Sequence, residues 1–332
     1  MSVPPALRRL YVASGMQRLL PHTLKVSLRR IWLRVARRIG YPISSPLTHR
    51  PPLNPHRRLM RLARVLLACD LNPDYLNFWP STRRAWEEIV GIKPLLVLVA
   101  RPDEVPPELE QDEAVVVFPP VSGIHTTFQA QCVRLLYPAL LEVNGAVLIS
   151  DIDLYPLKPA YFHAPLARLD ERYFVTYRDT RLDRGEVNIP FNAAAPATWA
   201  EIFGVETPED VRVCLAEWWT RGPYDGRRGW DGWYSDQQIL FERLSAWPAA
   251  RERFWTLDDD YCKFNRLDRL ELEHERGLQA HHRRALRAMR YSDFSCLLPC
   301  DAQRDVNDLV LELAIEAVRA RKADKRLDVP DV

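Results

Sequence analysis

The alternation of apolar and polar positions divides the chain into three stretches. Over 24–38, LKVSLRRIWLRVARR, the apolar residues Leu24, Leu28, Ile31, Trp32 and Val35 recur at helical spacing and arginines fill much of the rest. That predicts a basic amphipathic helix. The next stretch, 41–58, holds five prolines and no periodicity, and reads as a linker or an extended wrap. From Arg61 onward, short apolar runs alternate with helical periodicity. Strands are predicted at 65–69, 95–100, 114–118, 146–150, 173–177 and 192–195, and helices at 80–90, 126–141, 208–219 and 235–244. Ser81 or Thr82 is expected to cap the first of these helices. The run LLVLVA at 95–100 is apolar throughout, as in a parallel strand covered on both faces. This βαβ rhythm predicts an α/β fold with a sheet flanked by helices. A last amphipathic helix begins at Val306 and ends in a charged tail. The expected division is an arm with its linker at 1–60, a body at 61–305, and a terminal helix and tail at 306–332.

Charge sharpens that division. The 332 residues carry a formal net charge of only +2, yet residues 1–69 contain fourteen Lys or Arg and no Asp or Glu. The rest holds 32 basic and 44 acidic side chains, a formal −12. A basic arm on an acidic body points to a polyanionic surface as the arm's partner, phospholipid or nucleic acid. For the helix at 24–38, three readings stand: it lies in an anionic membrane interface, it packs on the body, or the Arg-rich start is an organelle transit peptide. The acidic body and the lack of a DNA- or RNA-binding motif argue against nucleic acid, which leaves an anionic membrane surface as the expected partner of residues 1–40.

Composition adds less. Twenty-seven prolines against 12 glycines suggest stiff loops. Among the six cysteines only Cys296 and Cys300 are close, and C-x-x-x-C is a weak metal signal. Scattered cysteines fit a reducing compartment. No secretory signal is expected, and no apolar stretch approaches 18 residues. The chain therefore reads as cytoplasmic, with peripheral attachment to the inner face of a membrane as the reading that goes with the arm.

The chemistry concentrates at VLISDIDLYP, 147–156. An apolar strand runs into Asp151 and Asp153, whose spacing of two points both side chains the same way on an extended chain. Two adjacent carboxylates repel unless a cation sits with them. Hard oxygen ligands suit Mg²⁺ or Mn²⁺. Ligands of open α/β sheets bind beyond the carboxyl ends of strands, where this pair lies. The plainer reading is a turn carrying two solvated aspartates.

At this point the sequence resembles nucleotide-sugar glycosyltransferases of the GT-A type. The resemblance rests on QAQCVRLLYPALLEVNGAVLISDIDLYPL, 129–157, in which a helix with an R-x-x-x-P element leads into an apolar strand and D-x-D. It extends over roughly 62–300, although specific motifs fill only short stretches of it. It implies a GT-A, Rossmann-like, mixed and mostly parallel sheet behind the basic helical arm. It implies a sugar transferred from a UDP- or GDP-sugar to a hydroxyl on a glycan or lipid-linked saccharide, with Mn²⁺ or Mg²⁺. Asp153 would ligate the metal, and Asp151 would contact ribose or metal. Arg134 would approach the donor, or else bridge helix and sheet. Ala68, Cys69, Asp70 and Asn72, at the end of the first strand, would hold the nucleoside; Asp70 and Asn72 serve equally as turn or cap residues.

Downstream, Asn192 would line the sugar pocket or satisfy backbone groups. Asp236 would contact the donor sugar, act as general base, or merely charge the start of its helix. Asp231 is its weaker substitute. His281 and His282, after an apparent short strand at 278–280, would complete the metal site, or form a surface pair beside Arg283 and Arg284. Those arginines are alternatively placed to neutralise the departing diphosphate. Trp218, Trp219, Trp230 and Trp233, around a Gly/Arg-rich loop, suggest a lid on the acceptor side.

Two rivals remain. Haloacid-dehalogenase-like Mg²⁺-dependent phosphatases also start from a strand and D-x-D. Here Tyr155 stands where a Thr or Val is usual, and the Asp258-Asp259-Asp260 run precedes Lys263, the reverse of their order. The other rival is a non-enzymatic polyanion-binding protein acting through its arm.

Overall fold

The computed structural model describes residues 59–327, apart from 179, 228, 230, 231 and 258. The helix expected at 24–38, the Pro-rich stretch at 41–58, Trp230, Asp231 and Asp258 lie outside the described residues.

The body is built on a seven-stranded mixed sheet. Its strands are β1 (Leu62–Asp70), β2 (Pro94–Val99), β3 (Val115–Phe118), β4 (Ala146–Ile149), β6 (Phe174–Thr176), β7 (Asn192–Ala194) and β8 (Phe254–Thr256), in the order β3-β2-β1-β4-β7-β6-β8. All neighbours are parallel except the pairs made by β7, which runs against both β4 and β6. This is the mostly parallel α/β sheet that the apolar runs foretold. The parallel strands deliver their carboxyl ends to one pole. Because β7 is reversed, its first residue reaches the same pole: Asn192 lies opposite Ile149 and Thr176. A second sheet joins β5 (Leu154–Pro156), β10 (Asp293–Ser295) and β9 (Arg266–Leu267) in the order β5-β10-β9. β5 starts one residue after Asp153, so the acidic turn sits where the two sheets meet.

Helices cover the sheet. α1 (Trp79–Ala85) continues as a π-helical turn, Trp86–Val90, and stops at Gly91, whose φ of +79° suits glycine. The expected cap at Ser81 or Thr82 is corrected: the N-cap is Phe78, with no side-chain bond. The two hydroxyls reach outward instead. Thr82 Oγ1 donates to the Ile152 carbonyl at 2.6 Å, and Ser81 Oγ to Asp308 Oδ1 at 3.2 Å. α2 (Thr126–Leu136) is shorter than the expected 126–141, since Pro138, lacking an N–H, turns the next residues into a 3₁₀ turn, Tyr137–Leu140. α3 (Pro196–Phe203) went unanticipated, α4 (Pro208–Trp219) matches its expected bounds, and α5 (Ser235–Ala246) runs two residues past them.

Beyond these lie α6 (Arg269–His274), α7 (Ala280–Arg287) and α8 (Arg304–Leu327). No strand forms at 278–280; the two histidines stand in the first turn of α7. On one face of the sheet, Val65, Leu67, Leu96 and Leu148 share a core with Trp79, Trp86 and α8 residues Leu311 and Ile315. On the other, α2 packs against β1 and β2, with α3, α4 and α5 around it.

Candidate functional site

The strand-end pole gathers polar side chains that the sequence separates widely. Asp70 closes β1. Its Oδ2 accepts from the hydroxyls of Thr126 at 2.9 Å and Thr127 at 2.8 Å, the first two residues of α2. Its Oδ1 accepts the Asn72 N–H at 3.2 Å. Asn72 in turn accepts the Asp74 N–H at 3.1 Å and caps a short helical turn, Pro73–Leu76. Ala68 and Cys69 lie in the β1 ladder opposite Val97 and Leu98. The Cys69 thiol is buried, and burial pushes its pKa well up.

The centre of the pole is Arg134, on the buried side of α2. Its Nη1 donates to Asp151, and its Nη2 donates to Asp236 Oδ2 at 2.7 Å. Asp151 follows β4 and Asp236 stands in the first turn of α5. Asp236 is only 2% exposed. Burial lifts its pKa above the ordinary carboxylate value, against the pull of Arg134. Burial opposes the Arg134 charge too, but Asp151 and Asp236 outweigh it and raise its pKa. Arg134 is thus a fixed cation between two acids 85 residues apart in sequence.

Asp153 meets a second arginine. Arg269 Nη2 donates to Asp153 Oδ2 at 2.6 Å, and Arg269 Nε donates to Ser295 Oγ at 2.8 Å. The D-x-D carboxylates therefore find their cations in two guanidinium groups. Each guanidinium engages one oxygen of its carboxylate, Asp151 Oδ1 and Asp153 Oδ2, and Arg134 holds Asp236 through its other terminal nitrogen. Oxygen ligands of this kind suit a hard divalent ion such as Mg²⁺ or Mn²⁺, and Asp151 and Asp153 are the residues that would hold it here.

The expected metal ligands separate into two groups. His281 and His282 lie with Glu271 and Glu275, whose ligand atoms all fall within 4.8 Å of one another, and this group could hold a metal ion. Asp151 and Asp153 do not belong to it. His282 Nδ1 accepts the Gln279 N–H at 3.2 Å, which assigns the proton to Nε2, facing Glu271 at 3.4 Å. Ligation through Nε2 requires the other tautomer and gives up that backbone bond.

Asn192 is fully buried. Its Nδ2 donates to the carbonyls of Asn188 at 2.6 Å and Ile189 at 2.7 Å, closing the turn before β7, while its Oδ1 is buried without a partner. Next to it, Phe191 holds φ at +70°, in the left-handed region a bulky side chain seldom adopts.

The tryptophan lid is partly corrected. Trp218 is core, buried edge-on to Phe203 at 6.0 Å between ring centres. Trp219 packs edge-on to Phe128 at 5.1 Å. The residue that reaches the pole is Tyr224, against His125 and Phe128, with its hydroxyl donating to Gln131 Oε1 at 3.1 Å. Gly226 follows so closely that an added Cβ would stand 3.0 Å from the His125 ring. The loop therefore crosses the start of α2. Arg269, Ser295, Tyr224 and the Thr126–Thr127 hydroxyl pair all escaped the sequence reading. So did Gln237, whose N–H donates to Asp236 Oδ1 at 2.8 Å and whose Oε1 is buried without a partner. Of these, only Tyr224, an aromatic inside a Gly-rich loop, gave a signal. A depression of about 520 Å³ at the opposite pole, beside Arg61 and Val143, is lined by no carboxylate.

No protein-family model matches the chain, and no curated protein does. Among solved structures, the chain is similar to the glycosyltransferase GlyE of Streptococcus pneumoniae TIGR4, at 14% identity over 81% of this chain and a TM-score of 0.42. It spans 65% of that protein's chain. It is similar to the galactosyltransferase LgtC, solved with donor and acceptor sugar analogs, at 14% identity, over 76% of this chain and 95% of that one, with a TM-score of 0.42. Mouse xyloside xylosyltransferase 1 gives 11% identity, 70% and 97% coverage, and a TM-score of 0.36.

Proposed function

We propose that this protein transfers a sugar from a nucleotide-diphosphate sugar to a hydroxyl acceptor at the carboxyl pole of its main sheet. The observation that carries this reading is Arg134 bridging Asp151 and Asp236, with Asp70 and Asp153 on the neighbouring strand ends. Open α/β sheets bind ligands at such a pole, and the D-x-D at its centre is the element on which the sequence resembles GT-A enzymes. The nucleoside rests against Asp70, Asn72 and the start of α2, and the sugar against Asp151 and the turn at Asn192. In the transfer, the acceptor oxygen bonds to the anomeric carbon as that carbon's bond to the diphosphate oxygen breaks. The diphosphate leaves with the electron pair, and the acceptor's hydroxyl proton passes to water. Arg134 supplies fixed positive charge beside the donor.

Asp236 acts in this scheme as a positioning residue. Its carboxylate is bound by the Arg134 guanidinium and the Gln237 N–H, so it orients Arg134 instead of collecting the acceptor's proton. The UDP or GDP donor, the glycan or lipid-linked acceptor, and an anionic membrane surface for residues 1–40 belong to the same proposal. The phosphatase alternative is not favoured: its nucleophile would be Asp151, whose oxygen is engaged by Arg134. Hydrolysis screened across UDP- and GDP-sugars, with UDP and GDP tested for a rise in Tm, decides the matter. One donor hydrolysed and its nucleotide stabilising the fold is expected. Neither effect with any nucleotide sinks the proposal.

A further inference from the structure

The histidines of α7 were expected to complete a metal site at the D-x-D pair, and the fold turns them toward α6 instead. Glu271 lies in α6 and Glu275 caps its end, one helical turn apart. His281 Nε2 stands 3.7 Å from Glu275 Oε2, and His282 Nε2 lies 3.4 Å from Glu271 Oε1 and 3.9 Å from Glu275 Oε2. Among the described residues, neither glutamate pairs with a Lys or Arg. Two carboxylates at this helical spacing repel, and an imidazole is ordinarily neutral at pH 7. The buried Tyr291 phenol registers the surplus negative charge: burial pushes its pKa up to about 12, and both glutamates push it the same way. The corner is also open to solvent, since the His281 side chain is 53% exposed and each glutamate side chain 32%.

The tautomer of His282 decides which groups can ligate. Its Nδ1 accepts the Gln279 N–H, so its Nε2–H points at Glu271. A buried donor to a carboxylate is the place of a supporting residue, one that orients a metal ligand without being one. Three ligands remain: a ring nitrogen of His281 and one oxygen from each glutamate, all within 4.8 Å of one another. Tetrahedral zinc sets its ligand atoms about 3.3 Å apart, a closure that rotation of three part-exposed side chains supplies. A nitrogen beside two oxygens favours Zn²⁺ over Mg²⁺. We infer that Glu271, Glu275 and His281 form a zinc site separate from the D-x-D pair, with His282 holding Glu271 in place and water as the fourth ligand. The ion fastens α6 to α7. This site stands independently of the glycosyl transfer proposed above.

Zn²⁺ titrated into the full-length protein by calorimetry tests it, with His281→Ala, Glu271→Gln and Asp153→Asn compared against wild type. Zinc bound elsewhere on the chain cancels in these differences. The expected result is one ion fewer in His281→Ala and in Glu271→Gln, and no ion lost in Asp153→Asn. Zn²⁺ should raise the Tm of wild type by more than that of His281→Ala. Equal stoichiometry in wild type and His281→Ala overturns the site, as does a wild type that binds no zinc. Loss of the same ion in Asp153→Asn overturns its separation from the D-x-D pair. His281 is exposed, so its variant folds and decides the site by itself.

His282→Gln separates support from ligation. It should keep the ion and bind it about 10–100-fold more weakly. Wild-type affinity in this variant, or loss of the ion from a variant whose Tm shows that it folds, overturns the role given to His282.

Discussion

At the residue scale, the site is governed by the cost of burying charge. Arg134 satisfies two acids at once, so removing it and removing either partner are not equivalent changes. Arg134→Met leaves Asp236 buried with no counter-ion and should destabilise the fold by about 3–5 kcal/mol in urea titration. Asp236→Asn keeps shape and relieves that burial. It should fold with unaltered secondary structure, yet lose donor hydrolysis by about two orders of magnitude through misorientation of Arg134. An Asp236→Asn protein as active as wild type removes Asp236 from the machinery.

A carboxylate away from the site sets part of the acid response. Burial works against ionised Asp112, but the Ala114 N–H, the Trp79 indole and the Arg83 guanidinium outweigh it and hold its pKa below the ordinary value. Its folded pKa being lower, its stabilising contribution is complete above the ordinary carboxylate range and is lost as pH falls through the folded value. Asp112→Asn should therefore flatten the acid limb of Tm against pH and leave the neutral plateau only slightly lower. An acid limb of unchanged slope counts against this assignment.

At the element scale, the acidic turn is held from the side. Thr82, in the middle of α1, bonds the carbonyl of Ile152, the residue between the two aspartates. Thr82→Val should cost about 1 kcal/mol and leave that buried carbonyl unpaired. The larger effect should fall on donor hydrolysis, because the turn that carries Asp151 and Asp153 loses its brace. The loop that carries Tyr224 is equally constrained. Gly232 has φ +78°, and a Cβ there would meet the Pro223 carbonyl at 2.3 Å. Gly232→Ala cannot be absorbed by a side-chain rotation, so the loop must shift. A raised KM with nearly unchanged Tm is the expected signature; equal KM would show that the loop does not border the substrate.

At the scale of the whole molecule, two sheets and the terminal helix close a single core. α8 buries Val310, Leu311, Ala314, Ile315 and Val318, and ties itself to α1 through Arg84 with Glu312 and Arg319 with Glu88. Ile315→Ala should cost about 2–5 kcal/mol of global stability, whereas Glu312→Gln, at a half-exposed pair, should cost under about 1 kcal/mol. A common loss for both in urea unfolding would contradict the burial argument.

The chain's own pattern determined the elements with strong periodicity. β1 to β4, α2, α4, α5 and α8 were legible because their apolar faces are contiguous in sequence, and so was the D-x-D at the end of β4, which is a local feature. Residues 192–194 were legible as a strand, but the reversal that brings Asn192 to the pole was not. The short β5, β8, β9 and β10 were missed; pairing with strands distant in sequence is what makes them strands. Most of all, the sequence could pose the question of which cation accompanies Asp151 and Asp153, but not answer it. A guanidinium from residue 134 and another from residue 269 reach that turn only after two sheets have packed. Charge neutralisation depends on distance in space, and that distance is set by tertiary structure alone.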